Sequence, residues 1–344
     1  MNSAPSSSRR PARMRAAIIG GAIIVALALG AIWWFAARGG SSEAGASAPA
    51  GEVRGPDGAP RERADGLPAE THMSVNELNV RDLPAVRGFY EDAVGMAVLE
   101  EADGEVLLGL GGEPLIRLRE SAEPLPQPEE AGLYHTAILF PDEATLANTL
   151  LRVAQRAPES YQGAADHAVS RAFYFGDPEM NGVELYVDRP ASEWVWRDGK
   201  VVMGSEMLDP NQFIDEYGDG EASGTATVGH VHLKVGDLAA ARAFYADTLG
   251  FDVVSETDGA LFYSAGGYHH HLATNTWQSA GAGARSTEVG LGAVTVALPD
   301  SASVEAVADR LGTAGVEVTR VERGITAADP WGNQIRLVVA PTGR

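Results

Sequence analysis

Arg81-Asp82-Leu83, followed by Gly88-Phe89-Tyr90-Glu91-Asp92-Ala93-Val94-Gly95-Met96, is written twice in this chain. It returns 155 residues later as Gly236-Asp237-Leu238 and Ala243-Phe244-Tyr245-Ala246-Asp247-Thr248-Leu249-Gly250-Phe251. Asp177-Pro178-Glu179-Met180-Asn181 likewise returns 152 residues on as Asp329-Pro330-Trp331-Gly332-Asn333. A long internal repeat marks a duplicated structural unit. It also turns scattered histidines into positions that can be compared.

Each repeat contains a weaker half-repeat. Val75–Val80, Leu133–Phe140, Gly229–Val235 and Leu291–Leu298 read as strands. Each is followed by a turn containing Asp and then a helical stretch: Leu83–Ala93, Glu143–Ala157, Leu238–Thr248 and Ser303–Ala314. Short strands separated by Gly or charged turns complete each unit. The pattern predicts an α+β protein of four βαβββ modules in two tandem lobes, 71–190 and 227–340, with a linker over 191–226. Alternation assigns the faces. Thr136, Ile138 and Phe140 pack on a helix, and so do Val231, Leu233 and Val235. His135, Ala137, His230, His232, Lys234, Glu184 and Tyr186 are left on a concave face. Polar groups gathered there imply a cavity, because a charge against a packed core is costly without a partner.

The modules can now be superposed. The opening-strand position is Val75, His135, His230 and Ala293 in modules one to four, and the closing-strand position is Ile116, Glu184, His271 and Arg336. His269 shares the face of His271, and His232 is a candidate for lining the same pocket. Only modules two and three are filled with potential ligands at both positions. Facing each other, they would build one metal site. Two imidazoles and a carboxylate with open positions suit non-haem Fe(II), with Mn, Ni or Zn as other divalent options. Asp329-Pro330-Trp331-Gly332-Asn333, with Arg336 where a carboxylate would be needed, reads as a structural turn.

Composition narrows the rest. The 344 residues include no cysteine, so neither a disulfide framework nor a thiolate metal site is possible. A net charge of −21 disfavours nucleic acid as a partner. Ala16 to Ala37 is an uncharged apolar run long enough to cross a bilayer as a helix. Arg9, Arg10, Arg13 and Arg15 precede it and Trp33-Trp34 sit near its far end. The sequence therefore predicts a cytoplasmic basic tail (1–15), a single-pass transmembrane anchor (16–37) and a flexible tether (38–70) carrying extracytoplasmic domains at the cell membrane. Secretion after signal cleavage, for which Ala44-Gly45-Ala46 offers a site, is the alternative. The sequence sets no oligomeric state.

The opening of module three, His230-Val231-His232-Leu233-Lys234-Val235-Gly236-Asp237-Leu238, resembles that of the vicinal oxygen chelate superfamily, which includes glyoxalase I, bleomycin-resistance proteins and extradiol dioxygenases. The resemblance covers roughly residues 72 to 340. It implies a metal ligand at His230. The stretch from Asp166-His167 through Phe173-Tyr174-Phe175-Gly176-Asp177-Pro178 to Glu184 is similar to the extradiol dioxygenase signature, although Met180 stands where that signature prefers Gly or Pro. It implies Glu184 as a metal ligand, with His167 and Tyr174 positioning and protonating a bound catecholate. Gly267-Tyr268-His269-His270-His271 with Asn275-Thr276-Trp277 resembles the four-module catechol 2,3-dioxygenase-like branch. The expected enzyme is an extradiol dioxygenase taking a small aromatic diol and dioxygen, with His135, Glu184 and His230 holding Fe(II). His271 would be a fourth ligand or a pocket neighbour. A glyoxalase-type lyase or isomerase using four protein ligands, and a non-enzymatic sequestering protein, are the competing expectations.

Overall fold

In the computed structural model, which describes residues 52–55, 58–59, 65–221 and 223–341, the aspartate of each predicted turn caps a helix. The carboxylates of Asp82, Asp142, Asp237 and Asp300 accept from the amides of Ala85, Thr145, Ala240 and Ser303 at 3.0, 2.7, 2.7 and 2.8 Å. Each such cap contributes about 1 kcal/mol. The helices they start are Leu83–Gly88, Glu143–Arg156, Leu238–Arg242 and Ser301–Thr313. In modules one and three the helix widens into a π-helical turn, Phe89–Val94 and Ala243–Thr248, which buries the paired aromatics of the repeat.

Strand and helix of each module meet over apolar side chains, as alternation requires. In module two Leu146, Leu150 and Val153 of the helix join a core with Ile138, Phe140, Val183 and Leu185 of the sheet. Val231, Leu233 and Val235 do the same in module three. The closing strand of every module lies parallel to its opening strand: Glu113–Glu120 on Asn76–Val80, Gly182–Asp188 on Gly132–Phe140, Leu272–Asn275 on Thr227–Lys234, and Gln334–Val339 on Gly290–Leu298. The βαβββ unit is therefore present four times.

The modules do not pair in sequence order. Gly132–Phe140 of module two runs antiparallel to Thr227–Lys234 of module three, and Asn76–Val80 of module one runs antiparallel to Gly290–Leu298 of module four. Modules two and three thus share one large sheet, and modules one and four share another. The two lobes are present, but each is assembled from both halves of the chain, modules two and three facing each other as their shared filling suggests, in place of lobes built from consecutive modules. Alternation within a strand states which face is buried, but not which other strand will lie alongside.

Two segments expected as connectors carry structure. Part of the stretch 38–70 is ordered into the fold: Glu52–Arg54 pairs antiparallel with Val195–Arg197, and the Gly55 amide donates to the Trp194 carbonyl (2.7 Å). Leu67 is buried in the main core, and its amide donates to Gly250 O (3.0 Å). A Gly- and Pro-rich composition hid Leu67, an apolar residue that anchors this end. The linker 191–226 holds the helix Pro210–Tyr217, whose Phe213 packs 4.9 Å from Phe173. It also buries Trp194, Trp196 and Val201 in a second cluster with Val169 and Val254. The basic tail and the predicted anchor, residues 1–37, lie outside the described residues. Among the described residues no helix is long and apolar enough to cross a membrane.

Candidate metal centre

The shared sheet of modules two and three places one row of side chains across three strands. Glu184 is paired with Ala137, and Ala137 is paired with His230. His135 lies two residues before Ala137 on the same face. The small side chain of Ala137 leaves space between a carboxylate and an imidazole on its two neighbours. Gly229 is the extra residue of a bulge between Val228 and His230, and a Cβ there would lie 1.8 Å from the Tyr186 hydroxyl. Bulges re-aim the side chains beside them, and this one sets His230 over Ala137.

His135, Glu184 and His230 converge, with one donor atom of each lying within 4.8 Å of the others. Glu184 Oε2 is 2.9 Å from His135 Nε2 and 3.2 Å from His230 Nε2, and the two Nε2 atoms are 3.3 Å apart. All three residues are buried. Burial opposes the charge on Glu184, but the facing His230 and His135 outweigh it and hold the carboxyl well below its usual range. Burial pushes His230 down, partly offset by Glu184, and pushes His232 far down. An ionised carboxylate and a neutral imidazole are the states in which these groups bind metal. Nδ1 of His230 is buried without a hydrogen-bond partner. Two imidazoles and one carboxylate, buried and convergent, fit a divalent ion.

His167 and Tyr174 stand together beside this centre. Tyr174 lies opposite Glu184 on the adjacent strand, and its ring is 5.7 Å from that of His135. The Gly204 carbonyl can only accept, so at 2.7 Å it draws an N–H from His167 Nδ1. The other ring nitrogen, Nε2, then accepts the Tyr174 hydroxyl proton at 2.6 Å. Burial, reinforced by Glu184, pushes the Tyr174 hydroxyl well above its usual value, so it remains a donor. The linker carbonyl thus fixes the tautomer of His167.

The run Tyr268-His269-His270-His271 differs from expectation. The residue that occupies the Glu184 position in module three is Ala273, opposite His232, and not His271. His271 Nδ1 accepts from the Ala265 amide (3.3 Å) and lies 3.3 Å from Ser264 Oγ, so that nitrogen is engaged away from the cluster. Burial pushes its pKa down to about 3. His269 is engaged by Asp188: its Nε2 is 2.8 Å from Oδ1 and its Nδ1 is 2.7 Å from His270 Nδ1. A carboxylate accepts, so His269 donates from Nε2 and receives the proton of His270 Nδ1, which leaves His270 Nε2 as a lone pair. His270 is the histidine missed by the sequence; its ring centroid is 4.0 Å from that of His230. His232 lies opposite His135, 5.0 Å between rings, and receives an N–H from Asn275 Nδ2 at 3.0 Å. None of His232, His269 or His271 supplies a donor atom to the three-residue cluster.

The lobe of modules one and four inverts this arrangement. Where the first lobe has His230, Ala137 and Glu184 in a row, the second has Ala293, Glu77 and Arg117. Buried Glu77 is paired with Arg336 and lies 3.8 Å from Arg119. The predicted turn at Asp329 is structural: its carboxylate accepts from the amides of Trp331 and Asn333, from Asn333 Nδ2 and from the Tyr245 hydroxyl. The matching turn at Asp177 accepts from Glu179 and Asn181 in the same way, with Met180 in the left-handed conformation (φ 64°) that Gly332 adopts in its counterpart.

The family model of the glyoxalase/bleomycin resistance protein/dioxygenase superfamily matches residues 71–185 and 227–337, and the chain belongs to that superfamily. Within it the chain is catechol 2,3-dioxygenase-like. It is 38% identical over 271 residues to the catechol-2,3-dioxygenase of Bacillus subtilis (strain 168), a match spanning 76% of this chain and 94% of that protein. A shorter match, 29% over 119 residues, joins 33% of this chain to 62% of biphenyl-2,3-diol 1,2-dioxygenase 3 of Rhodococcus globerulus. Among solved structures, one from Bacillus subtilis subsp. subtilis str. 168, provisionally described as a dioxygenase, superposes with a TM-score of 0.52 at 14% identity, covering 81% of this chain and 87% of that one.

Proposed function

We propose that the chain is an extradiol ring-cleaving dioxygenase that uses Fe(II) on a catechol-like substrate. The convergence of His135, Glu184 and His230, with the His167–Tyr174 pair against its flank, carries this reading. These three side chains would hold the ion, which supplies the redox chemistry that brings dioxygen into the ring. All three side chains come from one sheet, and a bidentate diol and dioxygen would take the positions they leave. A four-ligand isomerase would require a donor at the closing position of module three, where Ala273 stands.

The surrounding residues define the rest of the task. Burial of the cluster excludes water and strengthens every charge interaction within it. Tyr174, paired across the strands with Glu184, donates its hydroxyl proton to His167 Nε2, which can take or return that proton at the flank of the cluster. Their contact of 2.6 Å is short enough for direct transfer. His270 offers a second acceptor on the His230 side, its tautomer set through His269 by Asp188. We further propose that residues 16–37 anchor the enzyme with its modules outside the cytoplasm; resistance to carbonate extraction, with protease access from the outside, tests this.

The decisive experiment loads the full-length chain anaerobically with Fe(II), adds catechol and then oxygen, and follows oxygen uptake and the coloured ring-opened product. One oxygen consumed per product, lost in Glu184→Gln and His230→Ala, is the expected result. A tightly bound metal with no oxygen uptake on any diol would overturn the reading.

A further inference from the structure

Two phenols beside the centre have no part in holding a metal or handling a diol. Tyr186, two residues past Glu184 on the same face of its strand, is fully buried, with its ring 5.0 Å from that of His230. Its hydroxyl lies 2.8 Å from the hydroxyl of Tyr268, and Tyr268 donates to Asp188 Oδ2 at 2.9 Å. The Tyr268 oxygen, its own proton committed to a carboxylate, therefore accepts the proton of Tyr186. The two hydroxyls and Asp188 form one directed row that starts beside a candidate ligand and ends at a carboxylate whose side chain is 21% exposed. Rings continue the line. Trp194 lies 5.7 Å from Tyr268, centroid to centroid, with its indole N–H donated to the Arg189 carbonyl at 3.0 Å, in an apolar cluster with Trp196.

Such a row suits a phenol that loses an electron. Burial, reinforced by Tyr186 and Asp188, pushes the Tyr268 hydroxyl well above its usual range, so the resting group keeps its proton. Removing an electron alone would leave a cationic ring out of water, which is costly. Passing the phenol proton to Asp188 in the same event turns a cation and a carboxylate into two neutral groups. The proton then stays within hydrogen-bond distance of the oxygen it left. A second pair of this kind, Tyr174 with His167, also flanks the centre. Among the described residues, however, the rings around Tyr174 are those of His135 and His167, so that pair opens no path away from the site. Nor can a thiol act as a sink, since the 344 residues include no cysteine.

We propose that Tyr268, with Asp188 as its proton acceptor, is a redox-active site that draws oxidising equivalents from the metal centre through Tyr186 and so spares the imidazoles of His135 and His230. The oxidant is a peroxide. Hydrogen peroxide takes one electron from a bound ferrous ion and one from Tyr268. Its O–O bond breaks to give two hydroxides, the ion becomes ferric, and the phenol proton moves to Asp188. A one-electron donor such as ascorbate then returns an electron to the Tyr268 radical while Asp188 returns the proton. The inference rests on the reading of His135, Glu184 and His230 as an iron site and is independent of which diol is cleaved.

The full-length chain, loaded anaerobically with Fe(II), is mixed with equimolar hydrogen peroxide and frozen. Electron paramagnetic resonance then reads ferric iron and organic radicals in the same sample, and elemental analysis reads bound iron. The expected result is a neutral tyrosyl signal that persists in Tyr174→Phe and is lost in Tyr268→Phe. Asp188→Asn, which leaves the Tyr268 ring in place and removes the base, should lose it too. Mass spectrometry of peroxide-treated Tyr268→Phe should show oxidised His135 and His230 several times more abundant than in the parent. Bound iron without a tyrosyl signal overturns the proposal and leaves the iron site intact. So does a signal that survives Tyr268→Phe or Asp188→Asn, one that disappears in Tyr174→Phe, or histidine oxidation that Tyr268→Phe does not raise. Failure of the parent chain to bind iron overturns the iron site and the proposal together.

Discussion

The ion pair in the lobe of modules one and four can be taken apart in a double-mutant cycle, and the two single variants should not be equal. Glu77 keeps only 6% of its side-chain exposure, against 28% for Arg336. Breaking a buried pair by removing one partner costs about 3–5 kcal/mol, chiefly because the other charge stays buried. Arg336→Met strands Glu77 with only the more distant Arg119, 3.8 Å away, and should cost about 3 kcal/mol. Glu77→Met strands Arg336, but its greater exposure lets solvent screen the charge, so about 2 kcal/mol is expected. Replacing both should return stability to within about 1 kcal/mol of the parent, since an apolar pair of similar volume often matches a buried ion pair. At roughly 2–4 °C per kcal/mol for a chain of this size, the single variants should lose about 4–12 °C in Tm. The assay is urea and thermal denaturation followed by circular dichroism on the full chain, with metal content as a control that should not change. Losses that simply add in the double variant would refute the view that these residues substitute for one another.

Three further outcomes follow from the site. Ala137→Leu fills the gap between Glu184 and His230 and should reduce bound metal at least tenfold, by elemental analysis, in a protein that keeps its circular dichroism spectrum; full metal content would refute the row geometry. Tyr174→Phe removes the proton held 2.6 Å from His167 and should lower kcat about 100-fold with metal content unchanged, checked by oxygen uptake beside elemental analysis. Burial pushes the Asp177 carboxyl up from 3.8 to about 6. The folded chain then holds that proton more tightly than the unfolded one, so the contribution is complete below about pH 4 and disappears as pH rises through about 6. Asp177→Asn should therefore flatten the decline in stability over that window in urea titrations.

The parts of the fold written as local pattern were legible in the sequence. The N-cap aspartates, the alternation of His135 with Ala137 and of His230 with His232, and the unequal filling of the four modules all depend on near neighbours. What the sequence hid depends on irregularities of the strands. Tyr134 should lie on the opposite face from His135 by alternation, yet the register shifts beside it, where His232 pairs with His135 and Leu233 with Leu133. That extra residue brings the Tyr134 ring within 4.9 Å of His232. The position of His270 is hidden in the sequence for a related reason. Alternation through the histidine run favours His269 and His271, but the closing strand begins only at Leu272, so a period of two has no meaning in the turn before it.

Pairing of the inner modules explains why the described residues form one candidate centre. His135 and His230 come from antiparallel strands of different sequence halves, and Glu184 comes from the strand on the other side of Ala137. The centre therefore exists only when both halves are folded together. In the other lobe the same row begins with Ala293 in place of His230 and carries Glu77 in place of Ala137. A carboxylate at the small-residue position would project into the space an ion requires, and Arg336 from the facing module neutralises it. Restoring ligands to the outer modules would thus require removing Glu77 first. Substituting histidine for Val75 and Ala293 alone should leave the metal content at one ion per chain, whereas adding Glu77→Ala and Arg117→Glu would be needed to approach a second.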